Sequence, residues 1–240
     1  MILNDKDIPY SFSQNRLYND CPRKYKYRYI DGIKEPTNDN LELGSAVHKV
    51  FELYWSADNS AISEYTEALA TIERLKGVIY KNKLLSEFNE LNEGKIGFNL
   101  AREQKIERDD FVAIIDLVHN YTEQSHKYIL ADYKVTKKPK QELTMYSEGQ
   151  LLVYKHFFCK EHPWIRPEDV LVQYINIYPY LTGQIINKTK PVNISIDTCD
   201  NLVEDIAKTK EKILKGDFPK KKKWCNWCFY RDICENDHSL

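Results

Sequence analysis

Three stretches in the middle of the chain, FNLAREQKIE, DFVAIIDLVHN and KYILADYKV, are short, rich in β-branched and aromatic residues and separated by polar turns, as consecutive strands of a sheet are. Helical spacing precedes them. In LGSAVHKVFELYW, Leu43, Val47, Val50, Phe51, Tyr54 and Trp55 fall on one helical face, and SAISEYTEALATIERL continues in the same style. After the third strand, ELTMYSEGQLLVYKHFF returns to helical spacing, and DVLVQYINIYPY reads as one more strand. Helices, three strands, a helix and a strand predict an α/β fold. No internal repeat or long linker divides the chain, so one domain is expected: a helical part over 1–95, a core over 96–216 and a cysteine-rich cap over 217–240.

Charge narrows the partners. With 35 basic and 36 acidic residues among 240, no global field favours a polyanion, and any nucleic-acid surface must be local. The N-terminus MILNDKDIPYSFS lacks a basic region followed by an apolar stretch, and no 18 apolar residues run together. The expectation is a soluble, cytoplasmic protein with no membrane partner. In a reducing compartment its six cysteines point to metal ligation or buried thiols rather than a disulfide framework.

The chemistry concentrates on the second and third strands. Asp116 is the single carboxylate in the apolar run AIIDLV, and burying it calls for a counter-charge. In LADYKV, Asp132 and Lys134 stand two residues apart, so strand periodicity puts both on one face and Tyr133 on the other. Two carboxylates on neighbouring strands can hold a hard divalent ion while the ammonium steadies an attacking water or an anionic oxygen, an arrangement that cleaves phosphodiesters. A surface Asp–Lys pair plus a strand-end aspartate fits the same residues.

In sequence order, the set GSAVH, AIIDLV, LADYKV and GQLLVY resembles the PD-(D/E)XK nuclease superfamily. Specifically, it resembles the RecB-like branch, which includes CRISPR-associated iron–sulfur exonucleases and AddB-type nuclease domains. The resemblance implies a restriction-endonuclease-like mixed sheet flanked by helices, with a helical N-terminal lobe and a C-terminal cap closing an iron–sulfur cluster. It implies Asp116, Asp132, His48 and the Tyr133 backbone carbonyl as ligands of Mg2+ or Mn2+, with Glu103 as a further acidic candidate. Lys134 is then the catalytic lysine. Gln150 and Tyr154, one helical turn apart, share a face towards DNA or the lysine. Ile114 and Val135 stand where the branch often has glycine and threonine.

CNWCFYRDIC places Cys225, Cys228 and Cys234 in one segment, and Cys21, far upstream, can supply a fourth thiol. Spacing alone favours zinc, whereas the resemblance implies a [4Fe-4S] cluster. Cys159 and Cys199 fit no motif and read as small buried residues. Basic side chains at Arg23, Lys24, Lys26, Arg28, Lys137, Lys138, Lys140 and Lys220–Lys223 are interleaved with Tyr25, Tyr27, Tyr29, Trp224 and Trp227. Such a mixture tracks phosphates and stacks bases, and it also suits solvated faces and core packing. The resulting expectation is a metal-dependent exonuclease acting on DNA ends or single strands, in a bacterial, archaeal or virus-infected cell, alone or with a helicase, recombination or CRISPR partner. The alternatives are a catalytically idle iron–sulfur DNA-binding subunit and a zinc-stabilised interaction protein.

Overall fold

A computed structural model of the chain describes residues 10–54, 61–92, 99–108, 111–120, 127–137, 149–181, 183–221 and 225–237, except the side chains of 92, 99–103 and 108. The elements begin with α1 (Phe12–Asp20), α2 (Pro22–Tyr25) and a π-helical turn, Lys26–Ile30. Three helices follow, α3 (Asp39–Leu53), α4 (Ala61–Lys76) and α5 (Val78–Asn92), then strands β1 (Asn99–Arg108), β2 (Phe111–Asn120) and β3 (Tyr128–Val135). After them come α6 (Gly149–Glu161), β4 (Val170–Ile177), β5 (Ile186–Lys188), α7 (Ile196–Leu214) and α8 (Arg231–Asn236). The expected α/β order is therefore present, with α1, α2, α5, β5, α7 and α8 beyond the segments that periodicity marked.

The five strands form one mixed sheet in the order β1-β2-β3-β4-β5. β3 is antiparallel to β2 and parallel to β4, and β4 is antiparallel to β5. A parallel β3–β4 pair needs a crossover, and α6 provides it, packed against both strands. The chain separates into two compact units.

The unit formed by Thr37–Lys105 and Ile114–Cys199 contains the core that places α3. One sheet face presents Leu117, Ala131, Tyr133, Ile175 and Ile177 to Val47, Val50, Phe51 and Phe88. Phe51 stacks on Phe88 with ring centroids 3.7 Å apart and meets the Tyr133 ring edge-on at 4.9 Å. Each buried ring contributes about 1.5–3 kcal/mol, and together they fix the rotation of α3 against β3. Asn38 caps α3 by accepting the backbone N–H groups of Asn40 and Leu41, both at 3.1 Å. At the α4–α5 junction Gly77 takes φ +87°, which ends α4 in a left-handed turn. On the other sheet face, Lys155 of α6 is buried, and its ammonium donates to Val170 O, Asn193 Oδ1 and Ile194 O at 2.6–2.8 Å.

The unit formed by Met1–Pro36, Ile106–Ala113 and Asp200–Leu240 joins chain segments far apart in sequence. Arg23, buried, donates to Phe218 O at 2.9 Å and pairs with Asp237 at 2.8 Å. The Tyr27 hydroxyl donates to the same Asp237 carboxylate at 2.6 Å, and the Tyr230 hydroxyl to Ile33 O at 2.7 Å. Tyr25, fully buried, stacks on Phe218 with ring centroids 6.2 Å apart.

Candidate active site

The antiparallel ladder between β2 and β3 runs from Asn120↔Tyr128 to Leu117↔Ala131. One residue further, side chains take over from the ladder. The Tyr133 backbone N–H donates to Asp116 Oδ2 at 2.6 Å, and the Tyr133 carbonyl lies 3.0 Å from His48 Nε2. A carbonyl oxygen only accepts, so Nε2 carries the proton in this arrangement. Phe51 and His48 are three residues apart on α3 and share a face. The packing of Phe51 on the Tyr133 ring thereby delivers His48 to the Tyr133 carbonyl. His48 Nδ1 lies 3.6 Å from Asp116 Oδ2. Burial pushes the His48 pKa below its ordinary value, Asp132 pulls it upward and Lys134 lowers it further. The neutral imidazole that results near pH 7 is the form that ligates metals.

Asp132 is 0% exposed, and neither of its carboxylate oxygens meets a hydrogen-bond donor in bonding geometry among the described residues. Its partner is an ion pair, Lys134 Nζ lying 2.7 Å from Oδ2. By distance the two attract, but the contact lacks hydrogen-bond direction. Lys134 Nζ also donates to Gln150 Oε1 at 2.9 Å, and Gln150 Nε2 donates to the Tyr154 hydroxyl at 2.6 Å. Two buried carboxylates, one ammonium and a neutral imidazole leave a net negative charge. With Asp132 Oδ1 unmet and Oδ2 met only by the Lys134 ion pair, these residues fit a hard cation held by oxygen ligands. Among the described residues no three His, Cys, Asp or Glu side chains gather around one point at metal-binding distance.

The four motif cysteines fall within one unit. Cys21, Cys225, Cys228 and Cys234 line a single cavity of about 500 Å³, together with Lys24 and Tyr230. All are free thiols. Burial raises the Cys228 pKa, the Tyr230 backbone N–H and Lys24 lower it, and the neighbouring Cys21 and Cys225 raise it again. The distant Cys21 and the C-terminal thiols thus share one lining, without three of them converging at metal-binding distance.

The sequence model of the PD-(D/E)XK nuclease superfamily matches residues 9–235. The chain belongs to that superfamily. Among solved structures, the fold is similar to the crystal structure of a candidate exonuclease from Eubacterium rectale, with a TM-score of 0.55, 11% identity, and coverage of 98% of this chain and 90% of that one. SSO0001 is also matched, at a TM-score of 0.32 and 15% identity over 89% of this chain and 95% of that one. No curated protein is significantly similar in sequence.

Of the residues singled out by likeness to the superfamily, the fold brings together His48, Asp116, Asp132, Tyr133, Lys134, Gln150 and Tyr154. Glu103 falls in β1, and its side chain lies outside the described residues. Two residues escaped sequence reasoning. Register places Tyr174 beside Asp132 and Asn176 beside Lys134, and both are buried. The signal for Asn176 was a polar residue interrupting the apolar run of β4.

The basic and aromatic N-terminal run corrects an expectation. Arg23 is buried against Asp237, Lys24 pairs with Glu35 at 2.8 Å, and Lys26 pairs with Asp31 at 2.7 Å. Tyr25 and Tyr27 are buried. Their rings fill the core of this unit and present no stacking surface to a strand. Arg28 and Trp227 remain exposed, while Lys138, Lys140 and Lys222 to Trp224 lie outside the described residues. Among the described residues no helix is long and apolar enough to cross a membrane.

Proposed function

We propose that this chain is a divalent-metal-dependent deoxyribonuclease acting on DNA ends or single strands, with a structural [4Fe-4S] cluster at Cys21, Cys225, Cys228 and Cys234. The observation that carries the reading is the buried Asp132 carboxylate, without a hydrogen-bond donor at Oδ1, ion-paired with Lys134 at Oδ2 and adjoining Asp116. Asp116, Asp132, His48 and the Tyr133 carbonyl would hold Mg2+ or Mn2+. When bound, such an ion lowers the pKa of a coordinated water and offsets charge on the phosphate. Lys134 directs one N–H to Gln150 and lies against Asp132, which leaves donor capacity on a side chain 31% exposed. That donor holds a phosphate oxygen or the attacking water. Hydrolysis joins the water oxygen to phosphorus and breaks a phosphorus–oxygen ester bond. The departing oxygen takes a proton, and the water proton passes to solvent.

Support for the cluster is chemical: four thiols line one cavity, and soft thiolates suit iron–sulfur binding. Support for end-directed cleavage is the fold likeness to the candidate exonuclease. Anaerobically purified protein is incubated with labelled linear DNA, with and without magnesium or manganese. Metal-dependent cleavage that falls to background in Asp132→Asn and Lys134→Ala is expected. Wild-type rates in both variants would overturn the site.

A further inference from the structure

The sheet face that carries Asp116 and Asp132 also carries an aromatic pocket. Val118 and Tyr128 share that face by strand alternation, and with Gln104, Phe158, His162 and Trp164 they line a cavity of about 270 Å³. The volume lies just below the roughly 300 Å³ at which sites for drug-sized ligands begin. It has room for one planar ring system.

Three observations define the chemistry. First, the rings form a chain: Tyr128–Phe158 centroids are 5.9 Å apart, Phe158–His162 4.4 Å and His162–Trp164 5.2 Å. Second, the chain ends on Trp164, an indole 75% exposed, whereas tryptophan is ordinarily well buried. Third, His162 Nδ1 is buried and has no hydrogen-bond partner among the described residues, and Gln104 brings an amide to the same lining. Flat rings with an unmet imidazole nitrogen and an amide match a heteroaromatic base, which stacks through its faces and hydrogen-bonds through its edge. A purely apolar ligand would leave His162 Nδ1 unmet.

Position fits the same ligand. Tyr128 lies four residues before Asp132 on β3, a span of about 13 Å along the strand, which is up to about four stacked nucleotides. Gln150, Tyr154 and Phe158 recur every fourth residue on α6, and His162, just past its end, still donates its backbone N–H to Phe158 O at 3.0 Å, so this side of α6 leads from Gln150, the partner of Lys134, to the pocket.

We propose that this pocket is a base-stacking subsite, in which Trp164 and His162 hold one nucleobase of a single strand a few nucleotides from the scissile phosphate. The assignment rests on the active site taking DNA as its substrate.

Affinity for a labelled single-stranded oligonucleotide is measured by anisotropy in magnesium-free buffer with chelator. Trp164→Ala should weaken binding about tenfold or more, as loss of one stacked base does, and Trp164→Phe should retain most of the affinity. A single abasic position is then moved along the strand. At one register it should weaken the wild type and leave Trp164→Ala unaffected. Because Trp164 is exposed, its truncation spares the core, and His162→Ala provides a second variant at the same register. Unchanged affinity in Trp164→Ala, or an abasic penalty that persists in it, would overturn the subsite. If cleavage still depends on Asp132 while Trp164→Ala binds normally, the subsite alone fails. If the wild type neither binds nor cleaves DNA, the nuclease reading fails with it.

Discussion

Asp116 Oδ2 accepts the Tyr133 backbone N–H at 2.6 Å, just past the last paired residues of the β2–β3 ladder. The carboxylate therefore serves the backbone as well as the proposed metal. Asp116→Ala leaves a buried N–H without that acceptor and should cost about 1–3 kcal/mol in urea unfolding. Asp116→Asn keeps an oxygen acceptor and should cost clearly less. Cleavage should be lost in both. Equal stability of the two variants would separate Asp116 from the backbone role.

Lys134, Gln150 and Tyr154 form a hydrogen-bonded series, so their substitutions should be graded. Lys134→Ala should abolish cleavage, and Gln150→Ala should lower the rate about tenfold or more by freeing the ammonium. Tyr154→Phe, which removes the acceptor of Gln150, should lower it least. Single-turnover rates at saturating DNA report this order, and a Tyr154→Phe defect larger than that of Gln150→Ala would contradict it.

His119 is buried, and desolvation, aided by Lys188, lowers its pKa to about 4, although the ring donates from Nδ1 to the Asn120 carbonyl at 3.0 Å. The folded state thus holds His119 neutral where the unfolded chain would protonate it. Its stability is fully present above about pH 6.5 and is lost as pH falls towards 4, on the order of 3 kcal/mol in all. Denaturant midpoints measured across this window should fall with pH. His119→Gln should flatten the dependence.

Protein purified without oxygen should contain iron and sulfide in nearly equal amounts. Cys21→Ala should lose iron as fully as Cys228→Ala, because both thiols line the same cavity. Cys159→Ala and Cys199→Ala should keep it. One equivalent of zinc without sulfide would replace the cluster reading with a mononuclear site.

Linear single-stranded DNA should be degraded from an end while covalently closed duplex circles survive. Gel analysis of both substrates under the same metal conditions decides this, and rapid nicking of supercoiled circles would show an endonuclease instead.

Local periodicity was enough to determine most elements and two site pairs of this protein. Alternation in LADYKV put Asp132 and Lys134 on one face, and helical spacing put Gln150 and Tyr154 on one face, because both relations depend only on backbone repeat. The β-branched runs marked β1 to β4 for the same reason. β5, three residues long, carries too little pattern to mark, although the apolar spacing of Ile206 and Ile213 in α7 was available. Tertiary structure alone decided what those faces meet. Register set Asp116 beside the end of the ladder, and the packing of Phe51 on Tyr133 brought His48 to a carbonyl 85 residues away. The fold of one unit placed Cys21 among thiols from the other end of the chain and turned Tyr25 and Tyr27 into core. Composition reports that a tyrosine or a lysine is present. Only long-range packing decides whether its neighbours are solvent, substrate or Asp237.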